Sequence, residues 1–304
     1  MRINRFGLFV AVAAALAGCS ADTGQCVVHP VAELRTLDPQ GLPLVNVTIG
    51  SRPAAFAIDT GASDSMLVGL LADEAGLRDR RSGVQISGAN GVASNRTVTV
   101  SSLTVGYATA QDVQFFVYGR RLPVTRTDGT PVDGLFGGDF LSNYDLFLDL
   151  DGRKVGIYQT EHCNGSTFLP LGRSEFMVPI VRSRTRVVVT ASIDGHAMPF
   201  LLDSGASGTS ITVEYARTLG LTSDALAADP VLDVRGTGSH KVVARVHRFR
   251  EFALGDDHVQ NPAIVIFAGS QNVLGNDFLR RNRVWISYAG HQLHVQPVLS
   301  TPRS

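Results

Sequence analysis

The sequence predicts an all-β protein with few short helices, built as two similar lobes related by a pseudo-twofold axis. The first observation is a repeat: residues 56–63 and 200–207 each place an aspartate directly after an apolar run, followed by a hydroxyl residue and glycine. The second is a series of short apolar or alternating segments separated by turn residues, which is typical of β-strands. The third is the glycine content, 31 of 304 residues, which indicates a turn-rich globular fold.

The repeat extends to both sides of the two aspartates. Upstream, segments 47–49 and 191–193 alternate in hydrophobicity and run into turns, of which Asp194-Gly195 is a strong hairpin signal. The apolar runs that precede the aspartates fit strands buried on both faces, because apolar residues occupy successive positions. The upstream half of the repeat therefore predicts a hairpin whose second strand ends at the aspartate.

Downstream, each aspartate is followed by a segment of helical composition, at 70–74 and 214–218. Gly76 and Gly220 then stand where a left-handed helix cap is expected. Each half continues with a glycine-bearing strand pair and closes on a second apolar segment that contains glycine. The closing segments are 134–141 and 272–279, and their shared order indicates an internal duplication.

The repeat and its flanks divide the chain into six ranges. We assign residues 1–18 to a lipoprotein signal peptide, 19–30 to a tether, 31–159 to an N-terminal lobe, 160–174 to a linker, 175–298 to a C-terminal lobe and 299–304 to a tail.

The amino terminus has the pattern of a secreted, lipid-anchored protein. Arg2 and Arg5 precede an apolar run that is too short to span a bilayer. The run leads into Leu-Ala-Gly-Cys at 16–19, which resembles the lipobox of bacterial lipoproteins. That resemblance implies cleavage before Cys19, lipidation of Cys19 and a periplasmic location, with Ser20 favouring the outer membrane. An ordinary secretory signal, or an anchor that is not cleaved, is the alternative.

Cys26 and Cys163 are the two remaining cysteines. Because the periplasm is oxidising, they are candidates for a disulfide that would fasten the tether to the interlobe linker. Their spatial separation is not fixed by the sequence, so the pairing stays open at this point.

Composition and spacing argue against several classes of protein. The formal net charge is zero and no cluster of lysine and arginine stands out, so nucleic-acid binding is not expected. No Cys/His spacing suggests a zinc site, and we expect neither a metal nor a cofactor.

Both aspartate loops resemble those of the aspartic proteases. Asp-Thr-Gly-Ala-Ser follows the apolar strand in the first half, Asp-Ser-Gly-Ala-Ser follows it in the second, and each half later has the apolar-apolar-Gly element. The chain resembles a bacterial retropepsin-like protease in which two subunits are fused into one pseudodimer of acid-protease lobes. The resemblance covers residues 31–295.

This resemblance implies an aspartic endopeptidase with Asp59 and Asp203 as its catalytic pair. Two adjacent carboxylates cannot both ionise cheaply, so they share a proton and together activate a water molecule, without a covalent intermediate. The resemblance assigns support of the two loops to four residues: Thr60, Gly61, Ser204 and Gly205.

The glycine-bearing hairpins at 84–100 and 234–246 resemble the two flaps of retropepsins. Such flaps close over an extended peptide or protein substrate, which binds as an added strand. The flap residues implied are Gly88, Asn90, Gly91, Gly236 and Gly238. Because one chain supplies both acids, we expect a monomer.

Ala62 and Ala206 allow a prediction about the pH optimum of the activity. Pepsin-like enzymes often have a hydroxyl residue here that donates to the ionised carboxylate, and such a donor lowers the pKa. Alanine has no side-chain donor. We therefore expect a less acidic pH optimum than that of a pepsin.

Two other functions fit parts of the sequence. A catalytically silent, peptide-binding lipoprotein would have the same fold, although both acids and both glycines are kept. A metal-dependent hydrolase would need histidines at ligand spacing near the aspartates, and none of the eight histidines recurs there. Asp59→Asn separates an enzyme from a binder, because a binder would keep its ligand.

Overall fold

The protein is mostly β, as the sequence predicts. The computed structural model describes residues 26–38, 41–88, 91–119, 121–122, 126–163, 176–234 and 242–298. No helix in these ranges is both long and apolar enough to cross a membrane.

The first half contains ten strands and two short helices within the described ranges. They are β1 (Val27–Arg35), β2 (Leu44–Ile49), β3 (Arg52–Ile58), β4 (Met66–Val68), α1 (Gly69–Glu74), β5 (Arg80–Gly88), β6 (Gly91–Val105), β7 (Ala108–Tyr118), β8 (Gly134–Phe136), α2 (Gly138–Leu141), β9 (Asp145–Asp149) and β10 (Lys154–Glu161).

The second half repeats this order with additions, among them α4, which has no counterpart in the described part of the first half. Its elements are β11 (Phe176–Pro179), β12 (Val181–Ser183), β13 (Arg186–Ile193), β14 (His196–Leu202), β15 (Ser210–Thr212), α3 (Val213–Thr218), α4 (Ser223–Ala228), β16 (Val231–Val234), β17 (Val242–Arg248), β18 (Glu251–Leu254), β19 (Asp257–Gln260), β20 (Ala263–Phe267), β21 (Val273–Leu274), α5 (Asn276–Arg281), β22 (Asn282–Ser287) and β23 (Gln292–Pro297).

Each half folds around a strand that ends at an aspartate. In the first half the strands lie in the order β2-β3-β8-β4-β7-β6-β5, and in the second the path runs β16-β17-β20-β15-β21-β14-β13-β18-β19. The strands before the aspartates, β3 and β14, pair antiparallel with the preceding strand and parallel with β8 and β21. The last five residues of β3 are all buried, which confirms a strand covered on both faces.

The turn and cap predictions are confirmed by the backbone. Asp194 and Gly195 both have positive φ, 50° and 83°, in the turn between β13 and β14, as a type I′ hairpin requires. Gly76 and Gly220 follow α1 and α3 with φ of 65° and 90°. Glycine adopts this left-handed conformation without steric cost, so these two positions end the helices.

A six-stranded sheet joins the two halves. Its order is β1-β10-β9-β22-β23-β11, so β9 of the first half pairs directly with β22 of the second. Leu148 opposes Val284 and Leu146 opposes Ile286 in this pairing. These four side chains are buried in a core cluster that is continuous through both halves. The halves are therefore one packed body.

This shared sheet shifts two of the assigned boundaries. Strand β1 begins at Val27, so residues 27–30 belong to the sheet and not to the tether. Strand β10 continues to Glu161, beyond the assigned start of the linker, because Glu161 pairs with Val27. A disulfide between Cys26 and Cys163, whose Cα atoms are 4.3 Å apart, lies next to this pair of strand ends. It fastens the segment before β1 to the end of β10.

Candidate active site

The two aspartates occupy equivalent positions at the ends of β3 and β14. The amide of Asp59 donates to the Phe136 carbonyl of β8 at 3.0 Å, and the amide of Asp203 donates to the Leu274 carbonyl of β21 at 2.9 Å. Each aspartate is thus held by the second apolar segment of its own half. The parallel pairing of these strands brings the two distant segments of each repeat together.

Backbone amides in each loop orient the carboxylates. The amides of Gly61 and Ala62 donate to Asp59 Oδ1 at 3.0 and 2.9 Å, and the amide of Gly205 donates to Asp203 Oδ1 at 2.8 Å. The tight turns after the aspartates aim these amides back at the carboxyl groups. Each carboxyl group therefore has a fixed orientation without any side-chain donor from its own loop.

The carboxyl groups of Asp59 and Asp203 lie within hydrogen-bonding reach of each other. The glycines explain how they come so close. A Cβ atom on Gly205 would stand 2.7 Å from the carboxyl group of Asp59, and one on Gly61 would overlap the carboxyl group of Asp203. Each glycine therefore makes room for the aspartate of the other half.

Four buried hydrogen bonds lock the two loops together. Thr60 Oγ1 donates to the Leu202 carbonyl at 2.7 Å, and Ser204 Oγ donates to the Ile58 carbonyl at 2.6 Å. In return the Ser204 amide donates to Thr60 Oγ1 at 3.0 Å, and the Thr60 amide donates to Ser204 Oγ at 3.1 Å. Each hydroxyl donates to a carbonyl at the end of the opposite strand, so the hydroxyl of Ser204 makes the same kind of hydrogen bond as the hydroxyl of Thr60.

We expect Thr60→Ala to lower the free energy of unfolding by about 2 kcal/mol or more, because it leaves a buried amide and a buried carbonyl without partners. Thr60→Ser keeps the hydroxyl and should cost less than about 1 kcal/mol. Chemical denaturation of both variants measures the difference. Equal losses in the two variants would show that the hydroxyl contributes nothing to the lock.

Two further pairs of hydrogen-bonded side chains, one in each half, support the loops, and neither was predicted from the sequence. Asp139 Oδ1 accepts from the hydroxyl of Ser65 at 2.6 Å, and Asp277 Oδ1 accepts from the hydroxyl of Thr209 at 2.7 Å. The Ser65 hydroxyl also accepts from the Gly137 amide. These bonds fasten each aspartate loop to the helix after the second apolar segment. The sequence did contain a signal for these bonds, because Ser65 follows Asp59 at the same spacing at which Thr209 follows Asp203.

The surroundings raise the pKa of both carboxyl groups of the pair. Burial is the main cause for Asp59, and the negative charge of Asp203 adds to it. Burial also raises the pKa of Asp203, where the Gly205 amide, Asp59 and Arg186 act in the opposite direction. Both side chains keep part of their surface exposed, so water can reach them. Because the pKa of Asp59 is raised from its ordinary value of 3.8, the pair can hold one proton at a pH at which an ordinary aspartate is ionised.

The described parts of the two flap segments lie in strand pairs at the edges of the two half-sheets. Gly88 ends β5, Gly91 begins β6, and the two residues pair with each other. Strand β16 pairs with β17 at the edge of the other half. Asn90, Gly236 and Gly238 fall outside the described residues, as does Cys19.

Both edge hairpins carry exposed apolar side chains. Val84 is 48% exposed on β5, and Val231 and Val243 are 59% and 61% exposed on β16 and β17. Within the described ranges, no group of three or more His, Cys, Asp or Glu side chains is arranged to hold a metal ion.

The fold and the site define a class of protein: a two-lobed fold of the acid-protease type, in which each of two similar halves supplies one aspartate to a shared pair. A sequence model of the family described as Aspartyl protease matches residues 45–140 and 189–278. The chain belongs to the aspartyl protease family. One match falls in each half, which confirms the internal duplication and the fused retropepsin-like form. No curated protein matched the chain in a sequence comparison.

Proposed function

We propose that this protein is an active aspartic endopeptidase. The observation that carries the proposal is the aspartate pair itself: two carboxyl groups from matched loops lie within hydrogen-bonding reach, and both have raised pKa values. Two kinds of contact that support such a pair are present in both halves: the locking hydroxyls and the glycines that admit the opposite carboxyl group.

The reaction needs one proton on the pair. The ionised aspartate takes a proton from water as the water oxygen forms a bond to the peptide carbon. The carbonyl π electrons move to the carbonyl oxygen, which takes the proton of the other aspartate. The resulting diol then collapses: the C–N bond breaks and the nitrogen receives the proton of the pair, while one diol hydroxyl gives its proton to the other carboxylate, so the pair again holds one proton.

The substrate we propose is an extended peptide or unfolded protein segment. Edge hairpins offer unpaired backbone groups that can add a substrate strand, and alternate side chains of that strand then face the lobes. The exposed apolar side chains of Val84, Val231 and Val243 favour apolar side chains near the cleaved bond. One chain supplies the whole site, so we propose a monomer.

A digestion assay tests the proposal. Chain lacking residues 1–18 is incubated with a peptide mixture, and products are identified by mass spectrometry. We propose cleavage that a statine-type peptide blocks and that a metal chelator leaves unchanged. Binding of the statine peptide without any cleavage would favour the silent peptide-binding alternative. Loss of activity with the chelator would favour a metal-dependent hydrolase.

The pH profile is a separate prediction. With alanine at positions 62 and 206, we expect the activity to be greatest at weakly acidic pH. Ala62→Ser adds a hydroxyl donor beside Asp59 and should move the acid limb of kcat/KM to lower pH, because a donor to the carboxylate lowers its pKa. The measurement is kcat/KM from strongly acid to neutral pH. A wild-type profile that peaks sharply at strongly acid pH would contradict the prediction.

We further propose that the mature protein is a lipoprotein anchored through Cys19 to the outer membrane of a bacterium and facing the periplasm. The lipobox-like segment 16–19 supports the anchor. The disulfide between Cys26 and Cys163 agrees with an oxidising compartment. Fractionation of cells that express the full chain, with acyl labelling of Cys19, tests both points.

A further inference from the structure

The two halves differ in the residue that stands directly across from each catalytic aspartate. In the β13–β14 pairing Val188 opposes Leu201, and extending this register by two residues places Arg186, which begins β13, across from Asp203, which follows β14. In the β2–β3 pairing Leu44 opposes Ala57, the Ile58 amide donates to the Pro43 carbonyl, and extending this register by one more residue places Leu42 across from Asp59. Directly opposed residues on antiparallel strands have neighbouring Cβ atoms. One aspartate therefore has a cation as its neighbour and the other has an aliphatic side chain.

The hydrogen bonds of Arg186 leave its charge uncompensated. Its Nη1 donates to the neutral Gln271 Oε1 at 3.1 Å. Its Nε is buried and has no hydrogen-bond partner among the described residues, and the ion pairs found in that part of the chain do not include Arg186. The side chain is half-buried, where an unpaired cation acts more strongly than it would in water.

We propose that Arg186 makes the two aspartates unequal: it keeps the negative charge of the pair on Asp203 and leaves the shared proton on Asp59. Arg186 is a positioning residue in this proposal, because it acts on the reaction through Asp203. The proposal rests on the function proposed above and deepens it.

The other charges near the pair do not compensate this asymmetry. Asp139 and Asp277 lie behind the two loops at matched positions, each bonded to a hydroxyl, so their effects on the two aspartates are similar. Asp64 lies in the first loop, and its charge raises the pKa of Asp139. Consistent with this, Arg186 lowers the pKa of Asp203, whereas Asp203 raises that of Asp59.

This inequality gives the reaction a direction. Asp203 takes the proton from water, and Asp59 donates its proton to the carbonyl oxygen of the substrate. The carbonyl oxygen must then face Asp59, which selects one of the two directions in which a peptide strand can cross a nearly symmetric site. A symmetric pair gives no such preference.

Kinetics of three variants test the proposal. Arg186→Leu gives this position the same residue as position 42 in the other half. We expect it to move the acid limb of the kcat/KM profile upward by about one pH unit, so that kcat/KM at a pH below the limb falls about tenfold. Above the limb the loss should be small. Arg186→Lys keeps the charge and should keep the wild-type limb. Leu42→Arg places a cation beside Asp59 and should move the limb to lower pH.

Three results would overturn the proposal. One is an Arg186→Leu profile that superimposes on that of the wild type. Another is an equal loss in Arg186→Leu and Arg186→Lys at every pH, which indicates a structural role. A third is a raised KM for substrates with acidic side chains and an unchanged limb, which indicates that Arg186 binds substrate.

A readout that needs no catalysis separates this proposal from the proposed function. In protein labelled with ¹³C at the aspartate carboxyl carbons, the resonance of Asp203 should respond to the first ionisation of the pair and that of Asp59 to the second. Arg186→Leu should reduce this difference. If the labelled protein shows the difference but cleaves no peptide, the endopeptidase proposal fails and the assignment of the proton stands. Equal responses of both carboxyl groups in the wild type would overturn the assignment.

Discussion

Replacing Asp59 with asparagine is expected to lower peptide cleavage by about a thousandfold or more, because the amide cannot donate or accept the transferred proton. The same loss is expected for Asp203→Asn, since the pair acts as a unit. Binding of a statine-type peptide should survive in both variants, although more weakly. Turnover is measured on a cleaved peptide identified with the wild type, and binding is measured by calorimetry.

The stability of this variant supplies a second readout with a definite sign. The pKa of Asp59 is raised above its ordinary value of 3.8 in the folded protein. The folded state then binds the proton more tightly than the unfolded state does, so the free energy of unfolding falls as pH rises through and above that value. An asparagine at this position carries no charge at any pH. Asp59→Asn should therefore unfold at the same temperature as the wild type or a higher one near neutral pH.

Asp256→Asn is the matched control. Asp256 is exposed in the turn between β18 and β19, far from the aspartate pair in the sequence. Its replacement should change neither turnover nor the unfolding temperature by more than a small amount. Wild-type turnover in Asp59→Asn would rule out the acid–base role of the pair.

Gly61→Ala is expected to have the next largest effect. The added Cβ would overlap the carboxyl group of Asp203, so either the loop or the aspartate must move. We expect a loss of activity of about a hundredfold, because small displacements of catalytic groups are costly. Overpacking of this kind should also lower the free energy of unfolding by about 1–3 kcal/mol.

The control for this variant is Gly208→Ala, in the segment that follows the second aspartate. A Cβ on Gly208 meets no atom within 4 Å, so no clash is expected. Activity assays and thermal unfolding of both variants measure the contrast. If Gly61→Ala kept full activity, the close approach of Asp203 to Gly61 would not be required for function.

Much of this site could be predicted from local patterns. The apolar runs before Asp59 and Asp203 predicted strands covered on both faces, and the ends of β3 and β14 are buried in this way. The turn at Asp194 and Gly195 and the cap at Gly76 were predicted because each depends on the backbone freedom of a few neighbouring residues. The duplication also predicted that the two aspartate loops form a matched pair, because similar segments of one chain fold alike.

The contacts that cross between the halves could not be predicted in this way. The pairing of β9 with β22 depends on which strand edges remain free once each lobe has folded. The bond between Ser65 and Asp139 joins residues 74 positions apart, and a serine in a loop has many other partners available. The position of Arg186 opposite Asp203 follows from strand register, which a single sequence does not fix.

By itself the sequence determined the all-β class, the duplication and the identity of the two aspartates, because these depend on hydrophobic periodicity, turn residues and a repeated motif. Only the tertiary structure decided that the carboxyl groups meet and that four hydrogen bonds between the loops hold them there. The physical reason is that contacts between residues far apart in the chain depend on how complete strands pack and pair, whereas local patterns report only conformation and burial.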